Sequence, residues 1–216
     1  TRFAVIYKEG VKQSITDPCI VPDLAILDWT LLSSLPDYQR KSGALDALCH
    51  AVESLWSVNA TEESRTLARE ALAIIKEHLP AFVYPGVANS CNLMMRAANL
   101  AGQAISISQT TAAHAMSYKL TSFFHIAHGH AAALCLPEVM DYLEAHGDAD
   151  LKVLIAEIRA TVDVRALLKE LEMEVPHATD EEIEVLVSSV NPTRLANSPV
   201  PLSEEVIRQM YCNILK

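Results

Sequence analysis

Residues 37–57 of the chain read DYQRKSGALDALCHAVESLWS. Apolar side chains recur in this stretch at intervals of three and four residues, which is the period of an amphipathic helix. The same period continues from Pro36 to the end of the chain, with little glycine and long runs of Ala, Leu and Glu. The sequence therefore predicts a mainly α protein, with helices over residues 37–57, 61–78, 87–107, 110–125, 129–145, 148–159, 162–171, 179–189 and 203–214.

Local signals support several of these boundaries. Asn59 followed by Glu62, and Thr179 followed by Glu182, have the spacing of a capping box, in which two residues at a helix start satisfy each other's backbone N–H groups. Proline disrupts a helix interior, so we expect the prolines near the boundaries to lie between helices. These are Pro80, Pro85, Pro176, Pro192, Pro199 and Pro201.

The first 28 residues differ in pattern from the rest. Residues 3–7 and 12–16 suit two short strands joined by a turn, and residues 24–27 suit a third, buried strand. Three short strands do not form a stable sheet without a covered face, so this region needs a partner. We therefore divide the chain into a short β appendage, residues 1–28, and an all-helical domain, residues 29–216.

Charge and composition exclude several classes of partner. The chain has 17 Lys and Arg against 27 Asp and Glu, a formal net charge of −10, and no basic tract to neutralise phosphates. Nucleic acid and anionic membranes are therefore poor partners. Its apolar stretches are too short for the roughly 20 residues that a membrane-spanning helix needs. Five widely spaced cysteines without a C-x-x-C pair favour reduced thiols in a cytoplasmic protein.

The helix over residues 37–57 carries the first candidate site. Asp46 and His50 are four residues apart, so both side chains leave the same helix face at a separation that one cation can bridge. Glu53 continues this stripe toward the end of the helix. The alternative is an exposed Asp–His pair on a solvated face, which stabilises a helix by only about 0.2–0.5 kcal/mol.

A histidine-rich segment carries the second candidate site. Four of the eight histidines fall within residues 114–130, among small and apolar side chains: His114, His125, His128 and His130. Two of these imidazoles could converge from adjacent helical segments. One Asp and three His would suit Zn²⁺ or Fe²⁺, because carboxylate and neutral imidazole are good ligands for both ions. Taken singly, each histidine also fits a core or surface position.

These motifs together resemble the iron-containing (group III) alcohol dehydrogenases, relatives of dehydroquinate synthase and glycerol dehydrogenase. The matching text is GALDALCHAVE at residues 43–53, HAM at residues 114–116 and AHGHA at residues 127–131. The fourteen-residue step from the first histidine of the second motif to that of the third also matches. The resemblance covers nearly the whole chain, and it implies a metal site formed by Asp46, His50, His114 and His128.

The resemblance also implies a fold and an activity. Residues 29–216 would be the all-helical, dehydroquinate synthase-like C-terminal domain, and residues 1–28 the last strands of an α/β nucleotide-binding domain. The activity would be that of an alcohol dehydrogenase or aldehyde reductase, with hydride transfer between NAD or NADP and a small aldehyde or alcohol polarised by Fe²⁺ or Zn²⁺. The text HAMSYKLT at residues 114–121, together with HGH at residues 128–130, is similar to the subgroup that reduces phosphonoacetaldehyde. An oxidase-like subgroup that acts on sugar acids also carries Ser-Tyr at this place.

Two departures from the family pattern matter. Tyr118 stands where the family has the second histidine of an H-x-M-x-H motif, which is assigned to proton relay. Catalytic proton transfer would then run through Tyr118, His130, His125 or water. The family's glycine-rich pyrophosphate loop is also missing. Because the chain starts at Thr1 without an initiator Met, we interpret it as the metal-binding half of a longer enzyme, inactive by itself.

Most of the NAD(P) site would lie outside this chain. Within it, the resemblance assigns Thr1, Phe3 and Lys12 to the cofactor side, although Lys12 also suits a solvated hairpin. Lys119 or Arg96 could meet an anionic substrate. The expected partners are a small aldehyde or alcohol, the missing N-terminal nucleotide-binding domain and further copies of the chain.

A second interpretation belongs to a different class of protein. The chain would be a helical module that binds a metal or a partner protein and catalyses no reaction. The missing glycine-rich loop favours this interpretation, because no dinucleotide can be held at its pyrophosphate without such a site. An upstream reading frame with a glycine-rich segment would favour the enzyme.

Overall fold

The computed structural model describes residues 3–8, 11–84 and 88–216. The strands are β1 (Phe3–Lys8) and β2 (Val11–Thr16), followed by 3₁₀ helices at Pro18–Ile20 and Trp29–Ser34. The α-helices are α1 (Asp37–Trp56), α2 (Glu62–Val83), α3 (Ala88–Ser108), α4 (Ala112–Phe124), α5 (His128–His146), α6 (Ala149–Thr161), α7 (Val164–Glu170), α8 (Asp180–Ser188), α9 (Pro192–Leu195) and α10 (Glu204–Leu215). The predicted mainly α fold with a short β appendage is confirmed.

All nine predicted helices are present, and α9 is an addition to them. This helix has four residues, too few to show a helical period in the sequence. Its start is set locally: Asn191 caps it by accepting a hydrogen bond from the backbone N–H of Thr193, and Pro192 occupies its first turn. Pro192 therefore begins a helix, although the sequence predicted it to separate two.

The two predicted capping boxes had different outcomes. The box of Thr179 and Glu182 is present at the start of α8, with both reciprocal hydrogen bonds formed. The predicted box of Asn59 and Glu62 is wrong. Helix α2 begins at Glu62, so its cap is the preceding Thr61, which forms a box with Ser64.

Proline is less disruptive in α2 than predicted. Pro80 lies inside the helix, which continues to Val83. Because Pro80 is in the last turn, its missing N–H removes a hydrogen bond only near the end of the helix. Pro176, Pro199 and Pro201 lie between helices as predicted, and Pro85 lies outside the described residues.

The β appendage consists of one hairpin in the part of the chain that is described. Strands β1 and β2 pair in antiparallel register from Phe3 opposite Thr16 to Lys8 opposite Val11. The predicted third, buried strand at residues 24–27 is wrong: this segment has no regular secondary structure and pairs with no described strand, and Leu24 and Ile26 are 76% and 83% exposed. Its apolar run is typical of a buried strand, but no described strand lies beside it. The predicted division at residue 28 stays a prediction.

Helix α1 lies at the centre of the hydrophobic core. It packs against α2, α3 and α5, while α4 packs against α5. Buried residues on α1 include Leu45, Leu48 and Leu55. At the other side of the core, the fully buried Tyr211 of α10 donates a hydrogen bond of 2.7 Å to the backbone carbonyl of Met116 in α4.

Two expectations from composition can be compared with this structure. No helix among the described residues combines the length and the apolarity that a membrane crossing requires. All five cysteines are free thiols, as predicted, and two of them, Cys49 and Cys135, are buried.

Helix α5 packs closely against α1 at Gly129. A Cβ atom built on this glycine would lie 2.1 Å from the backbone carbonyl oxygen of Ser42 and 2.6 Å from Cβ of Asp46. Both neighbours belong to α1, and a backbone carbonyl cannot move aside as a flexible side chain can. The first turn of α5 therefore reaches α1 only because residue 129 has no side chain.

Replacing Gly129 by alanine should destabilise the fold. We expect Gly129→Ala to lower the free energy of unfolding by about 3 kcal/mol, because the added methyl group separates α1 from α5. The measurement is chemical denaturation. Gly102→Ala is the matched control: nothing lies within 4 Å of its Cβ position inside α3, so helix propensity should raise stability by about 0.5–1 kcal/mol. Equal stabilities for the two variants would contradict the close contact.

Candidate metal centre

Three side chains, one from each of α1, α4 and α5, converge at one point. Asp46 lies in the middle of α1, His114 in the first turn of α4, and His128 at the first residue of α5. Asp46 Oδ1 is 3.5 Å from His114 Nε2 and 3.8 Å from His128 Nε2. One ligand atom from each residue falls within 4.8 Å of the others, which is the arrangement that one metal ion requires.

His50 lies beside this group of three without being one of the converging residues. Its ring stacks on His114, with centroids 4.5 Å apart and planes at 15°. Its Nδ1 is 3.8 Å from Asp46 Oδ2. The structure therefore brings three of the four predicted ligands together and places the fourth in contact with two of them. The four-ligand assignment itself stays a prediction.

The donor atoms fit a divalent transition metal. Asp46 Oδ1 and His114 Nε2 are buried, and neither has a hydrogen-bond partner of acceptable geometry. A buried polar atom without a partner costs about 1–3 kcal/mol, so two such atoms facing each other need an explanation. A carboxylate and imidazoles are ligands that both Zn²⁺ and Fe²⁺ accept, and a cation at this point would satisfy both atoms.

Charge at the site favours a cation. Burial alone would raise the pKa of Asp46, but its contact with His114 and the charges of the nearby imidazoles outweigh burial and hold the pKa below its usual range. Burial and the charge of His114 lower the pKa of His50 to about 4. Burial opposes protonation of His114, but the Glu53 and Asp46 carboxylates outweigh it and raise this pKa to about 9. Two carboxylates thus lie against His114.

Glu53 is the functional residue that the sequence only partly indicated. Its position on the Asp46 stripe was visible, but its contacts were not, because they join segments about 60 residues apart. The side chain is 0% exposed. Its Oε1 accepts hydrogen bonds from the Thr111 N–H at 3.0 Å, the Thr111 hydroxyl at 2.5 Å and the Ala113 N–H at 3.1 Å, and its Oε2 contacts His114 Nδ1.

Tyr118 lies one helical turn after His114, beside the converging group. Its ring is parallel to that of His128, with centroids 5.6 Å apart and planes at 3°. Burial raises the pKa of the Tyr118 hydroxyl, although the positive charge of Arg194 opposes this shift. At neutral pH the residue is therefore a phenol that can donate a proton or a hydrogen bond.

His130 faces away from this group, because it lies two residues after His128 on the same helix. It is 1% exposed, and burial lowers its pKa. Its Nδ1 is 3.0 Å from the Tyr38 hydroxyl, which also accepts a hydrogen bond from the Ala127 N–H at 2.9 Å. The structure thus places His130 in a contact between α1 and α5, and its predicted catalytic role stays a prediction.

The remaining predicted contact residues lie elsewhere. Thr1 lies outside the described residues, and Phe3 and Lys12 are described only as backbone in β1 and β2. Arg96 forms an ion pair with Glu70, at 2.5 Å, and the Lys119 ammonium lies 6.0 Å from the centre of the Phe123 ring. His125 is exposed and ends α4 in a left-handed conformation, with φ of 55°.

Removing the Tyr38 hydroxyl should loosen the contact between α1 and the start of α5. Tyr38→Phe leaves the buried His130 Nδ1 and the Ala127 N–H without this partner, so we expect the free energy of unfolding to fall by about 1–2 kcal/mol. Denaturant titration measures the change. Tyr84→Phe is the control, because Tyr84 is 57% exposed and its hydroxyl forms no hydrogen bond with any described residue. A Tyr38→Phe variant as stable as this control would contradict the assigned contacts.

Fold and site together define a helical domain that offers one carboxylate and several imidazoles to a divalent metal. The sequence profile of the Fe-containing alcohol dehydrogenase family, C-terminal part, matches residues 41–215. The chain belongs to this family, and the resemblance predicted from the motifs is confirmed.

Individual relatives agree with this assignment. Phosphonoacetaldehyde reductase of Streptomyces viridochromogenes is 36% identical over 79% of this chain and 43% of its own length. Long-chain-alcohol dehydrogenase 1 of Geobacillus thermodenitrificans is 30% identical, over 98% of this chain and 59% of its own. The chain therefore spans about half the length of these curated relatives.

Solved structures confirm the fold. An iron-containing alcohol dehydrogenase from Thermotoga maritima superposes with a TM-score of 0.91 and 31% identity, covering 100% of this chain and 59% of that one. Sulfoacetaldehyde reductase from Bifidobacterium kashiwanohense, solved in complex with NAD⁺, gives a TM-score of 0.89 at 25% identity, over 99% of this chain and 60% of that one.

Proposed function

We propose that the chain is the metal-binding half of a metal-dependent, NAD(P)-linked alcohol dehydrogenase or aldehyde reductase. The observation that carries the proposal is the convergence of Asp46, His114 and His128, with two buried donor atoms that lack hydrogen-bond partners. Membership of the Fe-containing alcohol dehydrogenase family supports iron as the metal, with zinc as the alternative. The NAD⁺ complex of a relative supports the nicotinamide cofactor.

The metal would be held by Asp46, His114 and His128, with His50 as the fourth predicted ligand. When bound, the divalent cation would polarise a carbonyl or hydroxyl oxygen, and the nicotinamide would give or take the hydride. The chain's own contribution is positioning, because the three converging residues start from helices already packed against one another. His114 is buried, whereas Asp46 and His128 are only partly buried, so the metal position would stay accessible to a substrate.

Tyr118 is the proposed proton donor and acceptor. Its ring lies against His128, and burial raises the pKa of its hydroxyl further above neutrality, so the hydroxyl is protonated at neutral pH. In aldehyde reduction the Tyr118 Oη–H would donate its proton toward the oxygen that gains negative charge, and in alcohol oxidation it would take the proton back. This assignment replaces the imidazole of the family pattern with a phenol at the same position of the motif.

The proposed substrate is a small aldehyde that carries an anionic group, such as phosphonoacetaldehyde. Support comes from the 36% identical phosphonoacetaldehyde reductase and from the sulfoacetaldehyde reductase structure, since the substrate of each named enzyme carries an acidic group. Arg194 lies close enough to lower the pKa of Tyr118, so a positive charge is present near the proposed reaction centre.

The proposal also includes partners and location. A nucleotide-binding domain would contact this half, as expected from relatives whose chains are covered to about 59% of their length. Association with further copies of the chain and a cytoplasmic location are proposed with it.

The metal assignment can be tested by substitution of one ligand. We expect His128→Ala to lower bound iron or zinc at least about tenfold, since one of the converging donors is lost. Elemental analysis after metal loading measures this change. His146→Ala is the control, because it removes an exposed histidine at the opposite end of α5. Unchanged metal content in His128→Ala would contradict the assigned ligands.

The catalytic assignment can be tested in the complete natural polypeptide. We expect Tyr118→Phe to lower kcat for NAD(P)H-dependent aldehyde reduction about 100-fold while bound metal stays unchanged, because a general acid is lost and no ligand is. Tyr142→Phe, at a hydroxyl that bonds to the Pro201 carbonyl, is the control. Full activity in Tyr118→Phe would assign proton transfer to another group. A metal-loaded natural protein inactive on every short and phosphonate-bearing aldehyde would favour the non-catalytic module.

A further inference from the structure

We propose that Glu53 is a positioning residue of the metal centre, which fixes the ring nitrogen of His114 that carries the proton. The inference rests on the proposed function, in which His114 is a ligand. It goes further by assigning a specific task to a residue that touches no metal or substrate.

Both carboxylate oxygens of Glu53 have hydrogen-bonding partners inside the protein. Oε1 accepts four hydrogen bonds at the start of α4, from the N–H and hydroxyl of Thr111 and from the N–H groups of Ala113 and His114. Oε2 is left for His114 Nδ1. Because the side chain is 0% exposed, water does not compete for either oxygen.

An ionised carboxylate only accepts hydrogen bonds, so the His114 nitrogen that faces it must be the one that carries a hydrogen. In a neutral imidazole the other nitrogen then holds the lone pair. That nitrogen is Nε2, which lies 3.5 Å from Asp46 Oδ1 and belongs to the converging group. Glu53 therefore directs a free lone pair toward the metal position.

Glutamine is the closest neutral substitute for Glu53. Glutamine keeps one oxygen for the three backbone N–H groups at the start of α4, but it places an NH₂ group against His114 Nδ1. The imidazole would then accept a hydrogen bond at Nδ1 and carry its hydrogen on Nε2, directed at Asp46. His114 would stay in nearly the same place, but its Nε2 would carry a hydrogen at the position where the metal should bind.

A purely structural role for Glu53 can be separated from this one through Thr111. The Thr111 hydroxyl donates to Glu53 Oε1 and accepts a hydrogen bond from Trp56 Nε1 at 3.0 Å. Thr111→Val removes both of these bonds and keeps the contact between Glu53 and His114. If Glu53 matters only because it holds the start of α4, both variants should affect metal binding alike.

The experiment is a zinc competition titration against a chelator, using the 216-residue chain and its variants Glu53→Gln, Thr111→Val and His128→Ala. We expect Glu53→Gln to weaken zinc binding about 10- to 100-fold, as for other residues that orient a metal ligand. Thr111→Val should bind zinc nearly as tightly as the unchanged chain, although it unfolds at a lower temperature. Equal losses in Glu53→Gln and Thr111→Val, or no loss in Glu53→Gln, would overturn the inference.

A second readout needs no variant. In the zinc-loaded chain with ¹⁵N-labelled histidine, the His114 proton should correlate with Nδ1 in NMR spectra. A proton on Nε2 would overturn the inference even if Glu53→Gln failed to fold. Failure of the proposed function gives a different pattern, because His128→Ala would then bind zinc like the unchanged chain. Loss of zinc in His128→Ala together with normal binding in Glu53→Gln would overturn only the role of Glu53.

Discussion

Side chains of α1 satisfy the backbone at the starts of both α4 and α5, and the candidate metal centre depends on this contact. The residues that precede these two helices form no side-chain capping bond of their own. The acceptors come instead from α1: Glu53 serves the start of α4, and Tyr38 and Ser42 serve the start of α5. A helix start leaves backbone N–H groups without partners, so side chains of α1 supply the hydrogen-bond acceptors that a capping residue normally supplies. The helix that carries Asp46 thereby also places His114 and His128.

The charges at the site follow from the same arrangement. Both histidines lie in first turns, where the helix dipole contributes partial positive charge. Such a position disfavours a cation unless negative charge is nearby, and Asp46 and Glu53 provide that charge. In turn, a carboxylate with 0% exposure is costly to bury unless it is fully hydrogen-bonded, a condition that the first turn of α4 meets for Glu53. The partial positive charge of the helix starts and the negative charge of the carboxylates therefore stabilise each other.

The sequence predicted those parts of the structure that depend on the local pattern of residues. Helical period identified nine helices, and the family resemblance of the motifs pointed to Asp46, His50, His114 and His128, three of which converge in the structure. Contacts between distant segments were not predictable in this way. The Tyr38–His130 contact joins residues 92 apart, and the bonds of Glu53 to α4 depend on how two helices pack. The wrong strand at residues 24–27 has a related cause. An apolar run indicates that a segment favours burial, but it does not show whether another strand lies beside that segment.

The dependence of two helix starts on a third helix has a consequence for how the molecule opens. A helix with its own cap can fray and re-form independently, whereas the first turns of α4 and α5 can be released only by breaking their bonds to α1. Local unfolding in this region is therefore shared by three helices from distant parts of the sequence. The ligand-bearing turns and the centre of the core form a single cooperative unit, so the site keeps its shape for as long as the core does.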